Sequence, residues 1–318
     1  MQVKQDKYSA VWLSHSSVSD YLKCERLYYL RNVWKNSNGR KINIVSPQMS
    51  LGSAVHAVIE PLAELRTDER KKLIEITPLP FGEESGEGLL TKFENTWKKY
   101  SGLMGGFESV EGEKEYKERG VKMIQNVIEN PGPIINKTVK FYNGDFIPNI
   151  YLSEEENIIL CGLVDWVEYL EATDTLRVID FKTGLRDEKD ESMQLPIYKI
   201  LVESLQKRKV ENGAYWYLDR DKFYKIKEIL DEDAEVVKEK LLDIGKQIKE
   251  KKSAKSPQEM ESNFKCKYSE GEGGCKYCND VEMIYQFDKG QLSIDNAPLV
   301  KYLGVGEYKQ DLYFVRKI

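Results

Sequence analysis

Hydrophobic and polar positions change their rhythm several times along this chain, and each change marks an element. In SSVSDYLKCERLYYLRNVW, Leu22, Leu27 and Leu30 recur at roughly helical spacing, and the hydroxyl-rich run Ser17-Val18-Ser19-Asp20 fits an N-terminal cap. A second helix is predicted over MSLGSAVHAVIEPLAELR, with a kink or break at Pro61. From Gly82 to Asn130 the chain is rich in Glu, Lys and Gly, with helical patches at LLTKFENTWKKY and EYKERGVKMIQNVIEN. After Pro133 the rhythm becomes that of strands. TVKFYNGDFIPNIYLS, NIILCGLVDWVEYL and TLRVIDFKTG are rich in Val, Ile, Phe and Tyr and are separated by polar turns. A helix over MQLPIYKILVESLQKR, shorter strands at GAYWYL and FYKIKEI, and a helix over DAEVVKEKLLDIGKQIKEKK follow. A cysteine-rich stretch comes next, and the tail from Val281 reads as irregular. There is no internal repeat.

This pattern predicts an α/β protein of one domain over residues 1–318. It has a helical insertion at about 62–132, a core at about 133–252 and a cysteine-rich segment at 253–318. A hydrophobic content of 41% and a charged content of 32% describe a globular chain with a wet surface. No apolar run approaches a membrane span. The opening residues MQVKQDKYSA lack the pattern of a secretory leader, and five cysteines are too few for a disulfide scaffold. The expectation is a cytoplasmic protein with thiols free for ligation. A net charge of −5 excludes a uniformly basic nucleic-acid binder and leaves room for a local basic groove.

Candidate chemistry concentrates in VIDFKTG, Val178 to Gly184. Strand side chains alternate faces, so Asp180 and Lys182 point the same way. The preceding strand segment carries Asp165 in an apolar setting, and EATDT between the two reads as a turn. A hairpin loop of two or four residues would pair Asp165 directly with Asp180. Two carboxylates that close repel unless one is protonated or both share a cation, for which Mg²⁺ or Mn²⁺ is the natural choice. A lysine beside that ion can orient a water or stabilise charge on a phosphate. Elsewhere, His56 lies on a predicted helix four residues after Gly52, and Gln194 and Tyr198 share a helix face. Cys266, Cys275 and Cys278 form a C-x8-C-x2-C run suited to chelation, with Cys24 or Cys161 available as a fourth ligand. Spacing alone leaves zinc and an iron–sulfur cluster both open.

Taken in order, Gly52-x3-His56, GLVD, VIDFKTG and Gln194-x3-Tyr198 resemble the RecB-like branch of the PD-(D/E)xK nuclease superfamily. The resemblance implies a PD-(D/E)xK nuclease core, a mixed central sheet flanked by helices, carrying the helical insertion. It implies a metal-dependent deoxyribonuclease, an exonuclease acting on duplex ends or single-stranded DNA. Mg²⁺ or Mn²⁺ would be held by His56, Asp165, Asp180 and the carbonyl of Phe181. Lys182 would be the motif lysine, and Gln194 and Tyr198 would steady the substrate or Lys182. CRISPR-associated exonucleases and AddB-type subunits carry one N-terminal and three C-terminal cysteines around a [4Fe–4S] cluster. By that resemblance the cluster falls on Cys24, Cys266, Cys275 and Cys278, a Cys-metal staple joining the N- and C-terminal regions, and Cys161 is left as a buried thiol. The triplet departs from the commoner C-x2-C-x5-C order, so Zn²⁺ stays as the alternative.

The implied partners are DNA and proteins of repair, replication or CRISPR adaptation, with no membrane. Lysines of GKQIKEKKSAKS and TWKKY are candidates for a phosphate groove or for solvated helix faces. Trp97, Tyr100, Trp216 and Tyr217 read either as base-stacking platforms or as core. TGLRDEKDES, after the motif lysine, is unusually acidic for a segment beside a DNA path, and is expected to fold away or gate access. The alternative function is a DNA-binding or assembly module with a vestigial nuclease site. Against it, every motif residue is present.

Overall fold

The N-terminal third supplies β1 (Val11–Leu13), α1 (His15–Lys23), α2 (Glu25–Tyr28), β2 (Asn43–Ile44), α3 (Pro47–Ile59), α4 (Thr67–Glu75) and α5 (Leu89–Trp97). The middle supplies α6 (Val110–Glu129), β3 (Asn149–Ser153), β4 (Ile158–Cys161), β5 (Trp166–Leu170), β6 (Thr175–Lys182) and α7 (Gln194–Leu205). Then come β7 (Val210–Tyr217), β8 (Tyr224–Glu228), α8 (Asp231–Lys252), α9 (Pro257–Asn263), α10 (Asn279–Asp288), β9 (Leu299–Leu303) and β10 (Asp311–Val315). This computed structural model describes residues 6–37, 39–75, 88–142, 144, 146–220, 224–268, 274–291, 299–303 and 311–315. Residues 76–87 of the expected insertion, 269–273 between the cysteines, and 292–298, 304–310 and 316–318 of the tail lie outside the described residues. No helix among the described residues is long and apolar enough to cross a membrane.

The chain divides into two units. One comprises Ser46–Ile150 and Gly162–Lys238. Its sheet has the order β5-β6-β7-β8, with β6 antiparallel to β5 and parallel to β7, and β7 antiparallel to β8. The parallel step needs a crossover, and α7 supplies it by packing back on β6 and β7. β6 is covered on both faces, which is why all four residues of its run VIDF, Asp180 included, are buried without alternation. Ile179 and Phe181 face one way, into a core with Trp166, Ala214 and Trp216. Helices α3, α5 and α6 close that core through Leu51, Val55, Phe93, Trp97, Met123 and Ile124. Val178, Asp180 and Lys182 face the other way, toward α7.

The other unit comprises Met1–Val45, Tyr151–Cys161 and Glu239–Ile318. It holds a sheet of order β1-β4-β3, in which β1 and β4 run parallel, and a mixed sheet of order β2-β10-β9. Ile158, Ile159 and Leu160 of β4 are fully buried.

Several sequence expectations are corrected. The first helix is capped by Ser14, one turn before the expected run, and Ser17 closes the reciprocal capping box. It breaks at Cys24, whose backbone is extended (φ −165°, ψ 121°), so α1 and α2 are separate. NIILCGLVDWVEYL is two strands in different sheets: β4 pairs with β1, whereas β5 pairs with β6. Residues 162–165 between them are not strand, and Leu163 there is exposed. Among the described residues of TVKFYNGDFIPNIYLS, Asn149–Ser153 is the strand, and Thr138 makes a single bridge to Glu168. In the tail from Val281, expected to be irregular, the described residues include the rest of α10 and the strands β9 and β10. Pro61 does end α3, which gives way to a 3-10 turn over Glu60–Glu64.

Gly120 of α6 fixes how closely α5 and α6 approach. A Cβ there would stand 2.3 Å from Cζ of Phe93 and 3.1 Å from Leu51 Cδ1. Gly120→Ala is expected to destabilise the protein, because overpacking of about 1–3 kcal/mol outweighs a helix-propensity gain of about 1 kcal/mol. Thermal denaturation checks this against Gly184→Ala, where a Cβ meets nothing within 4 Å and Tm should hold.

Candidate active site

The β5–β6 hairpin runs in register from Trp166↔Ile179 to Leu170↔Thr175 and closes over the four residues Glu171 to Asp174. That is one of the two loop lengths expected. Continued by one pair, the register sets Asp165 opposite Asp180. The two carboxylates do not hydrogen-bond to each other: Asp165 Oδ2 accepts the Phe181 N–H at 2.7 Å.

Asp180, only 4% exposed, is held from the α7 side. Gln194 begins α7 and Tyr198 lies one turn on, so both side chains reach β6 from one helix face. Gln194 Nε2 donates to Asp180 Oδ1 at 2.5 Å and to the Tyr198 hydroxyl at 3.0 Å, and Tyr198 donates to the same Oδ1 at 3.1 Å. Lys182 Nζ lies 2.9 Å from Asp180 Oδ2 and donates to Gln194 Oε1 at 2.8 Å. Glu188 Oε2 is its third partner at 3.2 Å, and Nζ sits 5.0 Å above the Tyr215 ring. Burial works against the charge on Lys182, but Asp180 and Glu188 outweigh it and hold the pKa above the ordinary lysine value. Burial and the Asp180 and Asp165 charges keep the Tyr198 phenol protonated, with its pKa well above the usual range.

His56 reaches the same strand end from α3. Its Nε2 is 3.1 Å from the Phe181 carbonyl oxygen, and its Nδ1 is 2.6 Å from Glu60 Oε1 and 3.6 Å from Asp165 Oδ2. Gly52, one turn earlier, permits the approach, since a Cβ there would lie 3.2 Å from Thr183 Oγ1. Burial disfavours the imidazolium, yet Glu60, Asp165 and Asp180 push His56 up to about 9. Burial and the Asp180 charge raise Asp165 well above the carboxylate range, with His56 partly offsetting them. Acids crowded until one retains a proton are poised to exchange it for a cation.

His56, Glu60 and Asp165 each offer a ligand atom within 4.8 Å of the others. With the Phe181 carbonyl beside them, hard oxygen donors joined by one imidazole fit Mn²⁺ or, chiefly through the oxygens, Mg²⁺. Asp180 stands next to this trio with both oxygens engaged by Lys182, Gln194 and Tyr198. Sequence reading missed Glu60 and Glu188. Glu60 was detectable, because His56 and Glu60 are four apart at the end of one helix and therefore share a face.

In the other unit, Cys24, Cys266, Cys275 and Cys278 converge, their sulfurs all within 4.8 Å of one another. The Cys275–Cys278 and Cys278–Cys266 separations are 3.7 and 3.9 Å. Cys161 is a separate buried thiol. The extended break at Cys24 presents its thiol to the C-terminal triplet. The same two chain regions are tied by Arg26, which bonds Glu261 at 3.0 Å and Glu282 at 2.8 Å, and by Phe264 stacked on Tyr28 and Tyr29. Four thiols in one place can take a metal ion or a cluster.

Of the candidate DNA-facing residues, Lys249 pairs with Glu156 and Lys251 with Glu25. Trp97, Trp216 and Tyr217 are buried, and Tyr100 is half-buried. No individual curated protein matches the chain. A family profile does, that of the PD-(D/E)XK nuclease superfamily, over residues 12–280, a span that takes in every residue of both clusters. With the mixed sheet bearing Asp180 and Lys182 at the end of its central strand, the chain belongs to the PD-(D/E)XK nuclease superfamily.

Proposed function

We propose that this protein is a metal-dependent DNA nuclease of the RecB-like branch, an exonuclease hydrolysing phosphodiester bonds at duplex ends or in single strands. One observation carries the reading: a buried Asp180 paired with a half-buried Lys182, fixed by Gln194 and Tyr198, beside a cation-seeking set of His56, Asp165 and the Phe181 carbonyl. A divalent ion bound there would supply Lewis-acid polarisation of the phosphate and a lowered pKa for a bound water. Asp165 and His56 would hold that ion, with Asp180 beside them, and Glu60 would either join them or orient the imidazole through Nδ1. Lys182, kept charged by its neighbours, neutralises charge building on the phosphate. Gln194 fixes Lys182 and Asp180 relative to each other, and Tyr198 donates to Asp180.

The four-cysteine centre is read as a [4Fe–4S] cluster on the resemblance, supporting the fold as a cross-link rather than taking part in hydrolysis. The sulfur spacing favours a second reading. A tetrahedral ion with Zn–S bonds of about 2.3 Å places its sulfurs about 3.8 Å apart, close to the 3.7 and 3.9 Å observed. A four-iron cube spreads them wider, because its own irons lie between. Free thiols throughout fit a cytoplasmic protein.

Digestion of single-stranded and duplex DNA labelled at the 5′ or 3′ end, with Mg²⁺ or Mn²⁺, tests the function and gives the polarity. Lys182→Ala and Asp180→Asn should each slow cleavage at least about 100-fold with the circular dichroism spectrum kept. Cleavage surviving in both variants would end the nuclease reading at this site.

Metal uptake should release protons, because His56 and Asp165 ligate only when deprotonated. Mn²⁺ affinity should therefore rise with pH up to about 9, where His56 loses its proton, and level off above it. Calorimetric titration in buffers of different ionisation enthalpy measures the release, which His56→Ala should diminish.

Anaerobically purified protein should carry either visible iron–sulfur absorption or stoichiometric zinc. Cys278→Ser should lose that metal and lower Tm, whereas Cys161→Ser should keep it. Full metal content in Cys278→Ser would remove Cys278 from the ligand set.

A further inference from the structure

The acidic segment between β6 and α7 lies on cationic side chains. An ammonium has three donors, and those of Lys182 meet three partners: Asp180, Gln194 and Glu188. Asp180 and Gln194 are buried and bonded to each other, so neither can leave without dismantling the strand–helix contact. Glu188 comes from the linker, and its side chain is 29% exposed. It is the one partner that can be exchanged.

The rest of the linker repeats the arrangement. Asp187 pairs with Arg220 at 2.5 Å, and Arg220 also donates to the Leu185 carbonyl at 2.8 Å. Asp190 pairs with Lys225 at 3.1 Å, and Lys227 donates to the Asp190 carbonyl oxygen. The Glu188 N–H is anchored on the Tyr217 hydroxyl at 2.7 Å. Carboxylates are thus laid over Lys182, Arg220 and Lys225 and a carbonyl oxygen over Lys227, the Arg220 and Lys225 pairs being exposed ones of the weak, salt-screened kind.

We propose that residues 183–193 act as an internal mimic of a nucleic-acid backbone: Glu188 occupies on Lys182 the place of the substrate phosphate, and DNA binds by displacing it. Arg220, Lys225 and Lys227, released from Asp187 and Asp190, then form the surface that receives the adjoining phosphates. The acidity of the linker thereby becomes selective. A short or weakly charged ligand does not repay the loss of several ion pairs, whereas a polyanion replaces them all at once. The inference rests on Lys182 serving a DNA phosphate, as proposed above.

Fluorescence anisotropy with a labelled single-stranded oligonucleotide, without added divalent cation, tests it apart from catalysis. The proteins compared are wild type, Glu188→Gln, Glu191→Gln, Lys182→Met and the Lys182→Met/Glu188→Gln double variant. Glu191→Gln removes the same charge from the same linker at a residue that makes no ion pair with Lys182. Displacement predicts that Glu188→Gln binds at least about fivefold tighter than Glu191→Gln, and that the gain vanishes in the Lys182→Met background. Equal gains from the two glutamines, or a gain that persists without Lys182, would reduce Glu188 to general surface repulsion and overturn the mimic. Weaker binding by Glu188→Gln would make Glu188 a support for Lys182 and overturn it as well. Absence of binding by all five proteins, joined to absence of cleavage by wild type, would instead overturn the nuclease reading on which the mimic rests.

Discussion

A carboxylate taken out of water has to be met by hydrogen bonds and opposite charge or it gives up its ionisation. Asp180 lies almost wholly out of water, and much of the unit that holds it is arranged around that fact. Gln194 and Tyr198 start α7 where they do because both bond to one oxygen of Asp180. Lys182 is fixed by the other oxygen and by the Gln194 amide, whose orientation follows from needing its NH₂ toward the acid and its carbonyl toward the ammonium. Asp165, through burial and then the Asp180 charge, holds its proton more tightly, and His56 keeps a positive ring chiefly through Glu60 and Asp165, with Asp180 adding to them. The crossover helix, the hairpin register and the donor set are therefore linked through one buried side chain.

The parts legible in the sequence were those governed by a short period. Alternation along TLRVIDFKTG put Asp180 and Lys182 on one face, and the four-residue loop EATD fixed the register that brings Asp165 alongside. Helical spacing joined Gln194 to Tyr198, and the chelating spacing of Cys275 and Cys278 marked the thiol centre. What stayed hidden depended on contacts between distant segments. NIILCGLVDWVEYL looks continuous in composition, and only the separate partners of β4 and β5 divide it. The α1–α2 break at Cys24 carries no Gly or Pro signal, since it is the converging C-terminal triplet that matches the extended backbone there. Glu188 could not be placed because nothing in an acidic linker says which carboxylate turns inward.

The cysteine-bearing unit solves a different problem. Its sheets are short, and its pieces come from both ends of the chain, so few neighbouring residues in sequence can hold it together. Thiols from Cys24 and the C-terminal triplet, Arg26 clasping Glu261 and Glu282, and Phe264 against two tyrosines all bridge the same pair of chain regions. Closing so long a loop costs little more entropy than closing a moderate one, because the cost grows only logarithmically with length. A metal at the four sulfurs is thus well placed to define that unit.

Gly52 has no functional group, yet it governs how near α3 lies to the end of β6, with only 3.2 Å left for a Cβ beside Thr183. His56 is carried on the same helix one turn later, so the glycine sets the bite of the donor set, the gap between imidazole and aspartates. A wider bite would suit a larger, more loosely coordinated ion, and a narrow one suits the small ion that demands short, regular bonds. For a divalent ion held by these donors, preference would thus depend in part on a residue that touches no ion.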